Sequence, residues 1–162
     1  MSESIGRSCD SCTACCDGWV SMNIGGCEVY PGKPCPNSTG TGCKDYANRP
    51  DDPCRQFHCA WVTNGSPLPE WMKPNQAGVL VLLGKHQWRG IPVDVALPVG
   101  AKIPEPSLNW MQAFVRDHGR LLIYTEPIQS PNGFMKQQQT FAYGPPAFQA
   151  EMLANQRNGN LW

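Results

Sequence analysis

All nine cysteines of this 162-residue chain fall before residue 60, and the remainder of the sequence carries none. They are Cys9, Cys12, Cys15, Cys16, Cys27, Cys35, Cys43, Cys54 and Cys59. Thiols that merely fill a core would be scattered along the chain as core positions are. This distribution instead divides the sequence into a thiol-rich third and a thiol-free remainder. Disulfides would explain such crowding in an oxidising compartment. The odd count speaks against them, as does an N-terminus, Met-Ser-Glu-Ser-Ile-Gly-Arg-Ser, that lacks the apolar run of a secretory signal. A cytoplasmic protein with metal-bound thiolates is the expectation.

The spacing points the same way. In Cys9-Asp-Ser-Cys12-Thr-Ala-Cys15-Cys16 two C-x-x-C units overlap at Cys12, and a tandem cysteine follows. A C-x-x-C turn aims both sulfurs at one ion. The first three cysteines also match the C-x2-C-x2-C opening of a ferredoxin loop, but Cys16 follows at once where that loop has three residues and then a cysteine and proline. Small Ser11, Thr13, Ala14 and Gly18 suit a backbone wrapped closely around a centre. A second group, Cys35, Cys43, Cys54 and Cys59, lies among Pro34, Pro36, Gly40, Gly42, Pro50 and Pro53, residues that build turns and so present ligands on successive loops.

Adjacent residues of an extended chain point to opposite sides, so Cys15 and Cys16 are awkward partners on one ion and easy ligands for two neighbouring ones. The eight thiolates would serve two four-coordinate zinc sites, or one multi-iron cluster with thiols to spare. Closed four-thiolate zinc sites carry net negative charge, which Lys44, Arg49 and Arg55 are placed in sequence to offset, or they are ordinary surface bases. Cys27, in Gly25-Gly26-Cys27-Glu28, lies outside any paired spacing and reads as a peripheral thiol. His58 has the chemistry of a zinc or iron ligand, although a surface histidine beside Cys59 is the plainer reading.

Composition narrows the function classes. Thirteen basic and thirteen acidic residues give zero net charge with no basic run, which leaves a nucleic-acid role without an electrostatic footprint. The richest apolar stretch, Val79 to Leu83, is far too short to span a bilayer. Sixteen glycines and sixteen prolines imply many irregular connections.

The Cys9 to Cys16 motif resembles the CxxCxxCC signature of the bacterial cysteine-cluster proteins described as zinc- or iron-chelating. The likeness continues through Tyr30-Pro-Gly-Lys-Pro-Cys35, Gly42-Cys43-Lys-Asp-Tyr46, Arg49-Pro50 and Pro53-Cys54-Arg-Gln-Phe57-His-Cys59-Ala-Trp61, and fades after Pro69-Glu70-Trp71-Met-Lys-Pro74. It implies eight metal ligands: Cys9, Cys12, Cys15, Cys16, Cys35, Cys43, Cys54 and Cys59. Cys27 is outside the pattern. A similar cluster occurs in flagellin lysine methylases, so the resemblance implies chelation without specifying an activity.

Beyond Trp61 the patterning changes. Asn64-Gly-Ser-Pro-Leu-Pro69 reads as a linker or crossing loop. Val79 to Leu83 has the length of a strand. Ile91, Val93, Val95 and Leu97 alternate with Pro92, Asp94 and Ala96, the period of a half-buried strand, with Gly84 to Gly90 as the hairpin loop between the two. Ser107 is a candidate N-cap for a helix carrying Leu108, Met111, Phe114, Val115 and His118, stopped at Gly119 with Arg116 in its last turn. Leu121 to Thr125 and Gln139 to Tyr143 are further strand candidates. Pro146 to Gln156 reads as a closing helix with Phe148 and Met152 on one face. His86 and His118 suit surface or cap positions, Trp61, Trp71, Trp88 and Trp110 suit packing, and Asp94 has no evident partner carboxylate. No P-loop, dinucleotide fingerprint, G-x-S-x-G or H-E-x-x-H occurs.

The expected fold is therefore α+β: an irregular cysteine module over residues 1–64 packed on a small antiparallel sheet with one or two helices over residues 65–162. The expected function is zinc or iron chelation in a structural or metal-handling role. The rivals are an iron–sulfur enzyme or electron carrier, and a zinc-folded protein-interaction module.

Overall fold

The computed structural model describes residues 20, 22–24, 26–30, 33–39, 43–44, 46–48, 59–63, 65–100, 102–130 and 133–157. The fold is α+β, with two sheets and three α-helices among the described residues. In the smaller sheet, β1 (Met22–Ile24) pairs antiparallel with β2 (Cys27–Val29), closed by the side chain of Asn23, which accepts the Gly26 N–H at 2.9 Å.

After a one-turn helix α1 (Pro74–Ala77), the larger sheet is built from β3 (Val79–Trp88), β4 (Ile91–Pro98), β5 (Leu121–Ser130) and β6 (Gly133–Tyr143), side by side in that order. The expected antiparallel sheet is in fact mixed. β3–β4 and β5–β6 are antiparallel hairpins, but β4 and β5 run parallel, with Val93 opposite Leu121 and Ala96 opposite Tyr124. The cause is helix α2 (Glu105–Asp117), which carries the chain back to the end of the sheet where β4 began. A closing helix, α3 (Pro146–Arg157), follows β6.

The two long helices line opposite sides of the sheet, and this explains a departure in β4. Its alternation predicts one wet face, yet Asp94 and Ala96 are as fully buried as Val93. Alternation still sorts the residues. Val93 joins Trp88, Leu121, Ile123, Phe148 and Met152 in the layer under α3, while Ala96 joins Leu122, Met111 and Val115 in the layer under α2. A central strand covered on both sides has no solvent face to leave polar.

The β3–β4 hairpin also differs from expectation. The strand runs through Gly84 to Trp88, and the turn is only Arg89-Gly90, both with positive φ (51° and 81°), as a two-residue turn matching strand twist requires. Gly84, with φ +61°, lies instead at the break in register between Leu82 and His86, where the strand bulges. Glycine in a strand reads as a turn from sequence alone, and here it marks a bulge.

Ser107 is not the N-cap of α2. The helix starts two residues earlier, after Pro104, and the buried Ser107 hydroxyl donates to the Ala77 carbonyl at 2.7 Å, tying α2 to α1. Met111 and Val115 are buried as the helical spacing predicts, Leu108 and Phe114 pack against the same core, and the chain leaves the helix at His118-Gly119. In α3, Phe148 and Met152 form the buried face. The Phe148 ring meets that of Trp88 edge-on, and the Trp88 indole donates to the Glu151 carboxylate.

The expected linker is part of this core. Trp61 is buried and its indole N–H lies 3.2 Å from both the Pro69 and Glu70 carbonyls, while Leu68 and Met72 are buried beside it. Cys59, Ala60 and Trp61 thus share one apolar cluster with residues beyond the expected 64/65 division.

Candidate metal centre

Of the eight expected ligands the structure describes Cys35, Cys43 and Cys59, while Cys9, Cys12, Cys15, Cys16 and Cys54, together with His58, lie outside the described residues. Cys35 is buried with Ile24 and Val29, so the small sheet packs directly on it. Pro34 and Pro36 flank it and the chain turns back. The Ser38 N–H donates to the Cys35 carbonyl at 2.9 Å, Ser38 pairs with Cys43 as an isolated antiparallel bridge, and the Lys44 N–H donates to the Asn37 carbonyl at 2.9 Å. Cys35 and Cys43 are thus both tied to Ser38, the first through its carbonyl and the second through the bridge.

Cys59 is held differently. Only 7% exposed, it belongs to the main core together with Val20, the described residue nearest in sequence to the tandem Cys15-Cys16. Its carbonyl accepts the Val62 N–H at 3.2 Å and the Thr63 hydroxyl at 3.1 Å, a compact turn, and the next N–H, that of Ala60, donates to the Val81 carbonyl of β3 at 2.7 Å. Cys27 ends the β1–β2 hairpin opposite Ile24, half-buried, with its sulfur 4.0 Å from the Glu28 carbonyl. The four described cysteines form no disulfide with one another, and among the described residues no three His, Cys, Asp or Glu side chains gather as a metal site would.

A buried ion pair escaped the sequence reading. The fully buried Asp94 carboxylate accepts hydrogen bonds from Arg120 Nε at 2.7 Å, Arg120 Nη2 at 2.5 Å and the Gly84 N–H at 2.7 Å. Hydrogen bonding to Asp94 raises the Arg120 pKa, against the opposing effect of partial burial, and the guanidinium also lies over the Phe114 ring. The signal was present: an aspartate in an apolar strand must find a cation or remain protonated. What the sequence did not give was the cation, because Arg120 arrives from beyond α2. Three donors converge on the carboxylate and account for the strand bulge at Gly84, so the pair reads as structural.

The remaining candidates are likewise occupied by packing. Burial, with a smaller effect from neighbouring Lys85, lowers the His86 pKa from 6.5. His118 places Nδ1 2.9 Å from the Phe114 carbonyl, capping the helix end, and its ring tilts over that of Phe114. Trp110 stacks on Phe114, and Tyr124 on Phe141. Burial and then Glu126 raise the Tyr124 pKa above 10.0. Trp71 is the exception, 44% exposed beside the buried Met72. No helix among the described residues is long and apolar enough to cross a membrane. Comparison of the chain with family models, with curated proteins and with solved structures finds no match.

Proposed function

We propose that this chain is a cytoplasmic metal-binding protein in which Cys9, Cys12, Cys15, Cys16, Cys35, Cys43, Cys54 and Cys59 hold zinc, or alternatively iron, in a structural or metal-handling role. The observation that carries the reading is the confinement of every cysteine to the first 59 residues at C-x-x-C and loop spacings. The resemblance to the bacterial zinc- or iron-chelating cysteine clusters agrees with it. Two features of the fold support it further. Cys35 and Cys43 are both tied to Ser38, and Val20 and Cys59, on either side of Cys27, Cys35, Cys43 and Cys54 in sequence, belong to the same core.

Four-thiolate sites are closed and leave no position for a substrate, so the reading is of a structural or metal-handling centre and not of hydrolysis at the metal. An iron–sulfur enzyme or electron carrier is the competing reading from a different class, motivated by the ferredoxin-like start at Cys9. A zinc-folded module that docks a protein is a third. Elemental analysis of anaerobically purified protein, with absorption spectra alongside, tests all of these. Colourless protein holding zinc supports the first or third reading, and brown protein holding iron and sulfide supports the second. Metal well below one ion per chain, with the cysteines in disulfides by mass spectrometry, overturns the proposal.

A further inference from the structure

We propose that two copies of this chain pair through the outer edge of β6, at residues 139–143, with Phe141 of one copy opposite Phe141 of the other. No cysteine takes part in the contact, which stands apart from the metal-binding reading.

The strand order leaves β3 and β6 as the two edges of the larger sheet. The β3 edge is met by the Ala60 N–H, which donates to the Val81 carbonyl at 2.7 Å. Among the described strands, β6 pairs with β5 alone, so alternate residues turn their N–H and C=O groups outward. Proteins discourage pairing at such an edge with charges, prolines and bulges. The break in register of the β5–β6 hairpin falls earlier in β6, between Phe134 and Gln138. Residues 139–143, Gln-Thr-Phe-Ala-Tyr, hold a regular ladder and carry neither a charge nor a proline. The edge is also apolar. Phe141 is 36% exposed and stacks on Tyr124 of β5 with ring centroids 5.2 Å apart. Tyr124 and Tyr143 pack against the core under α2, and Phe141 shares their side of the sheet, so it carries that apolar layer out to the rim.

A second copy fits this edge better than an unrelated strand. Two identical strands related by a twofold axis run antiparallel and offer each other the same pattern of donors and acceptors. Centring the axis on Phe141 sets Thr140 opposite Ala142 and Gln139 opposite Tyr143, all neutral, with an aromatic pair in the middle. The charged residue of β5 is Glu126, beside Gln139, and the axis sends the two copies of it to opposite ends of the contact. Zero net charge leaves no long-range repulsion between copies. With Ala60 on the β3 edge, addition of β6 to β3 of a further copy is obstructed, so pairing closes at a dimer. So small a contact suits a reversible dimer whose population rises with concentration.

The test is sedimentation velocity of the full-length protein under reducing conditions over a concentration series, with isotope-filtered NMR on a mixture of labelled and unlabelled chains. The expected result is a concentration-dependent species of twice the chain mass, with contacts between Thr140 of one copy and Ala142 of the other. Phe141→Lys sets two ammonium groups against each other at the axis and should raise the dimer dissociation constant at least about tenfold. Leu153→Lys, at an equally exposed apolar position on α3, should leave it unchanged. Circular dichroism checks that both variants fold, and the NMR contacts decide the matter on the parent protein if Phe141→Lys does not. A monomer at every concentration, a dimer without the Thr140–Ala142 contact, or a folded Phe141→Lys protein that dimerises as the parent does would overturn the proposal.

Discussion

The described residues from Val20 to Asn48 and those from Trp61 to Arg157 are ordered by different means. The first stretch has two three-residue strands, a single 3-10 turn at Tyr46–Asn48 and two isolated bridges. Its own apolar cluster, among the described residues, is Ile24, Val29 and Cys35. The second has strands of 8 to 11 residues, two long helices and apolar layers on both sides of the sheet. A sandwich of that kind can offset the entropy of ordering its chain by burying side chains. Three buried side chains cannot do the same for a loop-rich stretch. The difference is that the described residues before Asn48 bury little apolar surface of their own, and on the proposed reading the cysteines would supply the missing order.

The sharpest way to break that comparison is to remove one thiol. Cys12 lies in both overlapping C-x-x-C turns, so Cys12→Ser should empty or loosen a site. Metal binding in such modules is folding free energy, of order 10 kcal/mol for a structural zinc. The variant should lose metal and become protease-sensitive in its N-terminal third while the sheet still unfolds cooperatively. Cys27→Ser should change neither property. If Cys27→Ser loses metal and Cys12→Ser keeps it, the ligand assignment is wrong.

The converse variant acts on the other region. Phe148, on α3, is fully buried against Trp88, and Phe148→Ala should cost about 3–5 kcal/mol in denaturant unfolding. Metal content should stay at the parent level, since Phe148 belongs to a different cluster from Cys59. A Phe148→Ala protein that folds but has lost its metal would show that the two regions are not separately held.

How much was readable in advance also differs between the regions, for physical reasons. In the sheet layer the period-two run at Ile91–Leu97, the helical spacing from Leu108 to Val115 and the face of Phe148 and Met152 all became the elements they predict. Those signals are local. What failed to be legible depends on tertiary partners. Gly84 bulges because Asp94 takes its N–H, β5 lies parallel to β4 because α2 crosses over, and Ser107 is drawn inside the helix by the Ala77 carbonyl. In the thiol-rich region the spacing is the basis of the proposed ligand set, of which Cys35, Cys43 and Cys59 are among the described residues. The place of Cys59 in the larger core had no sequence signal, because the contact that docks its turn there, Ala60 N–H to the Val81 carbonyl, reaches a strand beyond the family-like segment.

The Asp94–Arg120 pair offers a third, smaller test, within the sheet layer alone. Arg120→Met leaves a fully buried carboxylate with the Gly84 N–H as its remaining donor among those identified, which should cost about 3 kcal/mol. Replacing both partners at once, Asp94→Leu with Arg120→Met, should cost less than Arg120→Met alone, because no charge is then stranded. Equal or greater loss in the double variant, measured by urea unfolding, would mean that the pair stabilises the sheet outright.

The smallest expected effect is a pH dependence that belongs to β3. Burial holds the His86 pKa below 6.5, its ordinary value, and the nearby Lys85 ammonium adds to the same effect. The unfolded chain therefore takes up a proton at His86 before the folded chain does. Wherever the unfolded state binds more protons, stability rises with pH. The contribution of His86 is thus fully present above pH 6.5 and is lost as the pH falls from there through the lowered folded-state value. Because the side chain remains substantially solvated, the effect should be modest, visible as a shallow decline in unfolding midpoint rather than a collapse. His86→Gln keeps a polar side chain of comparable size and cannot take up the proton. Its unfolding midpoint, followed from pH 7.5 down to about pH 5.5, should decline less steeply than that of the parent. Carboxylates common to both proteins cancel in the difference. An identical slope in parent and variant would show that His86 is as well hydrated in the folded strand as in the unfolded chain, and a steeper slope in His86→Gln would reverse the sign of the assignment.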